Sequence, residues 1–570
     1  GLGDVYKRQE HLHQLAEIMR MATLFKLKRI SVSLRMFNIL VASWLASFTN
    51  IGFYEHLCSF SSFSGFIQYS FIFVTFLILS GFYFFVLQIF SWQHSAKALA
   101  VVLIVLTGLS SYFVNQLGVN INPDQIQNVM QTDVDEAFDL LSVPFLLWII
   151  QTVVLPLIVV FYIKIKPIQS IRSLVLDKSI SLIIALFIMG LGLFSFYSQY
   201  APIFRENREL KAQISPLNIL SSSWSYAHKS TKEQNLPLIP YGEDAHQVNH
   251  AIQQPAKIMV LVVGETARAQ NFSLNGYAKV TNPELSQLDI VNFNQASSCG
   301  TQTSVSVPCM FSGMPRKNYD AALASHREGL LDIAQRAGYQ VTWIDNNSGC
   351  KGTCDRIKNY IVPKDEPAYK KWCGNGECHD GALLAALSDY LKQLDTQHLK
   401  QNQLIVLHQM GSHGPAYYKR YPDEFKKFLP VCETNNIQNC DHQSLINTYD
   451  NTILYTDHIV ASTIRVLQQT GVPTGLIYLS DHGESTGESG LYLHGTPYFM
   501  APKEQTHIPM LFWTSQQWPE HQKIQNCLSK QQDHAVSQDN LFPTLLSFLN
   551  IQTKVLNRQL DLLAQCGGSV

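Results

Sequence analysis

The stretch FIQYSFIFVTFLILSGFYFFVLQIF, residues 66–90, contains no charged side chain. A bilayer core about 30 Å thick is crossed by roughly 17–25 apolar residues in a helix. Inside it the backbone polar groups must be satisfied within the segment itself. This run is long enough, and it does not stand alone. Working outward, five apolar runs of spanning character lie over 36–54, 68–90, 98–114, 143–163 and 180–199. The competing reading, buried helices of a water-soluble domain, fails because runs so poor in charge have no polar face to turn to water. A late first apolar run, with others following it, also argues against a cleavable signal peptide.

The connecting loops orient these spans. Lys26, Lys28, Arg29 and Arg35 precede the first, Lys97 lies between the second and third, and Lys164, Lys166, Arg172 and Lys178 lie between the fourth and fifth. The loop from Asn115 to Ser142 has no Lys or Arg and carries Asp124, Asp133, Asp135, Glu136 and Asp139. The positive-inside rule therefore predicts a cytoplasmic N-terminus. An odd number of spans then delivers the chain after about residue 200 to the other side of the membrane.

Charged residues make up 15% of the 570, with 42 Lys+Arg against 43 Asp+Glu. That balance leaves no basic excess of the kind a nucleic-acid binder shows. Of the 11 cysteines, all but Cys58 fall after residue 298, in close couples: Cys299 with Cys309, Cys350 with Cys354, Cys373 with Cys378, and Cys432 with Cys440. Such couples read as disulfides formed in an oxidising compartment. The alternative is thiolate zinc clusters, but no CxxC pair is present and the spacings do not repeat. Cys527 and Cys566 form a weaker fifth candidate pair.

The expected organisation has four parts. Residues 1–20 are a leader foreign to the fold, with Met19, Met21 and Met36 as alternative starts. Residues 21–200 form the five-helix membrane domain. Residues 201–256 are a linker opening with the charged helical stretch IFRENRELKAQI, and 257–570 form a soluble catalytic domain. In that domain IMVLVV (258–263), YQVTWID (339–345), QLIVLHQM (403–410) and GLIYLSDH (475–482) read as strands. Amphipathic stretches at 329–338 and 448–471 read as helices between them. The alternation predicts an α/β domain with a mostly parallel central sheet.

In open α/β sheets, sites gather at the carboxyl ends of strands. Glu265 follows the first strand, and Asp481 and His482 follow the last. Two carboxylates and an imidazole make an oxygen–nitrogen donor set of the catalytic zinc type. Taken singly, Asp-His-Gly after a strand is an ordinary turn. The segment SSCGTQTSVSVPCMFSG (297–313) adds Thr303, flanked by small residues and bracketed by a predicted disulfide loop. A helix starting just after it would favour a phosphoryl group at its N-terminus. A metal would activate the hydroxyl. Read alone, the segment is more often a structural Ser/Thr-rich turn.

Together, GETARAQNFSLNGY, SCGTQTSVSVPCMFSG, DNNSGCKGTCDR, HQMGSHGPAYYKRYP and LSDHGESTGESGLYLHGTPY resemble, in order, the signature blocks of the lipid A phosphoethanolamine transferases. That family belongs to the alkaline-phosphatase-like superfamily and includes the polymyxin-resistance enzymes of Gram-negative bacteria. The resemblance spans about 25–565. It implies an alkaline-phosphatase/sulfatase-like catalytic domain in the periplasm, tied to a multi-pass inner-membrane domain. It implies that Thr303 is the nucleophile and that Glu265, Thr303, Asp481 and His482 hold zinc. His413 and His494 match the family's two further histidines, where a second zinc can bind; unaided, either could be a plain surface histidine. Asn347, Ser348, Lys351, Thr301 and Glu484 match head-group contacts. Asn128, Thr132 and Glu136 fall at i, i+4 and i+8 of the acidic loop, and helical spacing sets them on one face toward the membrane-proximal mouth. The implied donor is phosphatidylethanolamine and the implied acceptor a phosphate of lipid A, handled by a monomer. The rival functions are transfer of phosphoethanolamine or glycerol phosphate to a glycan, hydrolysis by a membrane-bound sulfatase or phosphodiesterase, and a sensor with a degenerate site.

Overall fold

A computed structural model describes residues 30–564, apart from 62, 133–136, 138–139, 169, 234–235, 249–254, 375–376 and 395–398. The 1–20 leader, Glu136 and Cys566 therefore lie outside the described residues. The chain forms two compact units. One holds the chain up to Tyr112 with Leu147–Leu210 and Ile214–Pro216. The other holds Phe113–Leu146, Lys211–Gln213 and the chain from Leu217 on.

Among the described residues, five helices are long and apolar enough to cross a membrane: α1 (Leu34–Ser59), α2 (Gly65–Phe90), α3 (Ala96–Leu117), α5 (Val143–Tyr162) and α6 (Ile171–Ser195). Between α3 and α5 lies the short α4 (Pro123–Gln131), capped by Asn122 and started by Pro123, a residue suited to the first helical position. Helix α2 packs against α1 and α6. It turns Phe66 and Phe73 outward, as a lipid-facing surface does. Helix α6 starts nine residues earlier than the apolar run, because its polar first turns are satisfied locally. Asp177 pairs with Arg35, and the Lys178 Nζ donates to the carbonyls of Gln88 and Ser91 at 2.6 and 2.7 Å. A charge near a helix end can be kept when such partners are within reach.

In the second unit an eight-stranded sheet has the order β8-β2-β7-β6-β1-β5-β3-β4. The strands are β1 (Ile258–Gly264), β2 (Val291–Ser297), β3 (Gln340–Asp345), β4 (Lys358–Ile361), β5 (Gln403–His408), β6 (Thr474–Ser480), β7 (His507–Thr514) and β8 (Val536–Ser537). Only β7 runs against its neighbours; the other pairings are parallel. Strand β1 shows why its sequence is apolar without alternation. Ile258, Val260 and Val262 enter the core on one face of the sheet, and Met259, Leu261 and Val263 enter the core on the other. A strand covered on both faces needs apolar residues at every position.

One face is covered by α8 (Thr303–Ser312) and α10 (Leu330–Arg336), the other by α11 (Gly381–Gln393) and α12 (His442–Gln468). The short α9 (Ala321–Ser325) packs against α8. In the connector, α7 (Leu217–Glu233) begins directly after Pro216. The charged stretch at 203–214 is not one helix: its α-helical part ends at Glu206 and a 3₁₀ segment occupies Arg208–Gln213. Disulfides join Cys299 to Cys309, Cys350 to Cys354, Cys373 to Cys378 and Cys432 to Cys440.

Candidate active site

Five parallel strand ends supply the site. Glu265 follows β1, Asn347 lies beyond β3, His413 beyond β5, Asp481 and His482 follow β6, and β2 leads through the Cys299 turn to Thr303, the first residue of α8. Gln302 at the N-cap makes no side-chain capping bond. The first N–H groups of α8 have no partner inside the helix, and the helix dipole adds to the positive potential there.

Glu265, Asp481 and His482 are fully buried, and one ligand atom from each lies within 4.8 Å of the others. The Thr303 hydroxyl donates to Glu265 at 3.1 and 3.2 Å and lies 3.4 Å from His482 Nε2. Asp481 Oδ1 accepts from the backbone N–H groups of Thr266 and His482 at 3.1 and 2.7 Å. Its Oδ2 is buried without a hydrogen bond and lies 3.3 Å from His482 Nε2. His482 Nδ1 sits 2.8 Å from the Gly483 carbonyl; a carbonyl only accepts, so Nδ1 carries a proton, and Nε2 becomes a donor atom when a bound cation takes the place of its own proton. The imidazole is pushed up to about 10: burial opposes its charge, but the Asp481 carboxylate and the Glu265 hydrogen bond and charge outweigh it. Asp481 is raised to about 6 by burial and then by the Glu265 charge. Two buried carboxylates, an orphaned oxygen and an available imidazole nitrogen fit a divalent cation, with zinc suited to this donor set.

Close approach of the backbone explains two glycines. Gly411 has φ +53°, and a Cβ there would lie 2.6 Å from the Glu265 carbonyl oxygen. A Cβ on Gly483 would lie 2.0 Å from the Glu504 carbonyl oxygen. Ser412 N–H donates to that same Glu265 carbonyl at 3.0 Å, so the turn carrying His413 is locked to the β1 end.

The structure brings His413 and His494 together at the site. The ring of His494 is 4.4 Å from that of His482 and 5.7 Å from that of His413, centroid to centroid. His413 is buried, which removes the surface-histidine reading for it. Glu484 sits 3.1 Å from His494 Nδ1. Asn347 is tied to the cluster itself: its Nδ2 donates to Glu265 Oε2 and to the Gln409 carbonyl, both at 2.8 Å. Lys351 Nζ donates to the Ser348 hydroxyl at 2.8 Å. The Thr301 hydroxyl is already used, donating to the Thr496 carbonyl at 2.7 Å.

The expected helical stripe of Asn128, Thr132 and Glu136 needs correction. Helix α4 ends at Gln131, and Thr132 is its C-cap in extended backbone. The Thr132 hydroxyl donates to the Asn128 carbonyl at 2.8 Å, satisfying the acceptor that a continuing helix would have met with the Thr132 N–H.

Beside the site, two buried carboxylates, Asp345 and Asp380, escaped the sequence reading. Asp345 Oδ1 accepts from the N–H of Asn347 at 2.7 Å, and its Oδ2 lies 3.1 Å from His408 Nδ1. Asp380 accepts from the N–H groups of Met410 and Gly411 at 2.9 and 3.0 Å and from Asn346 Nδ2 at 2.8 Å. Both hold the loops that carry Asn347 and His413. Asp345, an acid at the very end of a strand, carried the same signal that picked out Glu265.

Fold and site together define a sulfatase-type α/β enzyme, and the Sulfatase family model matches residues 257–551. A model described as phosphoethanolamine transferase EptA/EptB matches residues 79–231. Phosphoethanolamine transferase EptA of Salmonella typhimurium is 44% identical over 84% of this chain and 86% of its own length. Phosphatidylethanolamine transferase Mcr-1 of Escherichia coli is 37% identical over 81% of this chain and 85% of its own. The solved integral membrane protein lipooligosaccharide phosphoethanolamine transferase A from Neisseria meningitidis superposes with a TM-score of 0.88 at 34% identity, covering 94% of this chain and 99% of that one. The chain belongs to the phosphoethanolamine transferase family and is a transferase.

Proposed function

We propose that this protein moves phosphoethanolamine from phosphatidylethanolamine to a phosphate of lipid A in two half-reactions through Thr303. The reading is carried by one observation: a hydroxyl at a helix N-terminus, within 3.1–3.4 Å of Glu265 and His482, beside the orphaned oxygen of Asp481. In the first half-reaction Thr303 Oγ1 bonds to the donor's phosphorus, the phosphorus–oxygen bond to the glycerol breaks, and diacylglycerol leaves. The Thr303 hydroxyl hydrogen, which is hydrogen-bonded to Glu265 in the structure, is passed on to the departing glycerol oxygen, so that diacylglycerol leaves as a neutral alcohol. In the second, a phosphate oxygen of the acceptor attacks the phosphothreonine and Thr303 is restored. Bound by Glu265, Thr303, Asp481 and His482, zinc would lower the hydroxyl pKa and neutralise charge on the transferred group.

The N–H groups at the start of α8 face the phosphoryl oxygens. With Nδ1 held by Glu484, His494 keeps Nε2 for a proton at the leaving or attacking oxygen. His413 lies against it and serves the same end, or a second zinc. Ser348 and Lys351 meet the head group, with Asn128, Thr132 and Glu136 at the mouth. The catalytic unit works in the periplasm, a placement supported by the positive-inside pattern and the disulfides. Capping a lipid A phosphate with an ammonium lowers the negative surface charge, which would give polymyxin resistance.

Mass spectrometry of lipid A from cells with and without the gene tests the reading. Added phosphoethanolamine that depends on Thr303 is expected. Release of free phosphoethanolamine with no acceptor requirement would instead mark a hydrolase.

A further inference from the structure

Helix α8 has a second flank that the transfer reaction does not use. Val307 and Met310 enter the core, while Ser304, Pro308, Phe311 and Ser312 line a cavity of about 120 Å³. That is the volume of about four waters, enough for a phosphate. Every charged residue of its lining is cationic: Arg327, Lys351 and Arg356. Arg356 is neutralised by Asp332, at 2.7 Å. Arg327 donates to the Ser312 carbonyl at 2.6 Å and stacks 4.0 Å over the Tyr241 ring. Among the described residues no carboxylate pairs with it. A cation at a cavity wall without a counter-charge calls for an anion.

Two polar groups mark the other end of the cavity. Ser304 is 3% exposed and its Oγ makes no hydrogen bond. Pro308, inside α8, lacks the N–H that would meet the Ser304 carbonyl four residues earlier. Hydroxyls of a sugar are natural donors for such a pair. The distance along the helix sets the scale. Arg327 is anchored at Ser312, about 13 Å from Thr303 at 1.5 Å per residue. That is of the order separating phosphates at the two ends of a disaccharide.

We infer that this cavity seats the non-reacting phosphosugar end of the acceptor, a glycolipid phosphorylated at both ends of its sugar head, while the reacting phosphate meets Thr303. The inference rests on the functional reading above. The Arg327 end of the cavity then selects diphosphorylated over monophosphorylated acceptors and, unlike Lys351, takes no part in loading Thr303.

The test uses the full chain in detergent with phosphatidylethanolamine as donor, and diphosphoryl or monophosphoryl lipid A as acceptor. Diacylglycerol release without acceptor reports the first half-reaction alone. Arg327→Gln should raise the acceptor KM for the diphosphorylated lipid about tenfold, the loss of one charge-assisted contact. It should leave diacylglycerol release and any transfer to the monophosphorylated lipid within twofold of wild type. Ala324→Phe, which fills the cavity from α9, should do the same and covers the case in which Arg327→Gln fails to fold. A wild-type enzyme that does not distinguish the two acceptors overturns the inference. So does a variant that loses both acceptors equally, or one that retains the wild-type KM. A wild-type chain that releases no diacylglycerol refutes the functional reading instead.

Discussion

Replacing Asn347 with Ala separates two roles for one side chain. Family resemblance assigns Asn347 to the head group, whereas the structure has its Nδ2 donating to Glu265 Oε2 at 2.8 Å. A hydrogen bond to a buried carboxylate contributes about 1.5–3 kcal/mol. Its loss removes one of the bonds that hold Glu265 beside Asp481 and His482, and 1.4 kcal/mol is a factor of ten. Zinc affinity should therefore fall roughly 10–100-fold, the range found when partners of metal ligands are removed. The assay is zinc transfer to a chromogenic chelator at fixed pH, with bound metal counted by elemental analysis and transfer followed separately. Added zinc should restore much of the lost activity. If Asn347→Ala keeps wild-type zinc affinity and only raises the KM for phosphatidylethanolamine, the positioning argument is wrong and the side chain is a head-group contact alone.

Thr303→Ala should abolish transfer and lose any adduct of about 123 Da on the protein, whereas Thr303→Ser should keep measurable activity, as intact-mass analysis and lipid assays will report. Lys257 is buried, and desolvation lowers its pKa from 10.5 to about 7. Between those values the unfolded chain holds a proton that the folded chain lacks, so stability should rise with pH across that window, by something on the order of 3 kcal/mol. Thermal melts of Lys257→Met from pH 7 to 10 should lose that rise; an unchanged slope counts against it. Non-reducing peptide maps of protein from the periplasm should show Cys299 linked to Cys309, and Cys299→Ala should lower activity as well as stability. A periplasm-dependent reporter fused after Gln213 should be active and one after Ser170 inactive; the reverse would overturn the orientation.

The sequence announced β1, β3, β5 and β6, because burial on both faces leaves few polar residues in the middle of each run. It hid β2, VNFNQAS, whose Asn and Gln side chains sit at partly exposed positions. It hid β7 behind Pro509, and β4, KNYI, as an exposed edge. Glu265, Thr303, Asp481 and His482 were readable because each stands at a strand or helix end. The bond between Asn347 and Glu265 was not, because it joins loops brought together only by sheet order. Nor did the spacing of Asn128 and Thr132 show that a side-chain hydroxyl would end the helix.

The membership of Phe113–Leu146 in the catalytic unit has a consequence for how the protein is made. Helix α4 packs against α7 and α8, so a wall of the nucleophile's surroundings is synthesised before the last two membrane helices. It must wait for its partners until the connector and the first strands have emerged. Closing so large a chain loop adds only slowly growing entropy, but it is a long-range contact of the kind that delays folding. The ribosome thus sets the order of assembly, and a soluble fragment begun at Leu217 would start life without α4, one of the pieces its own active site leans on.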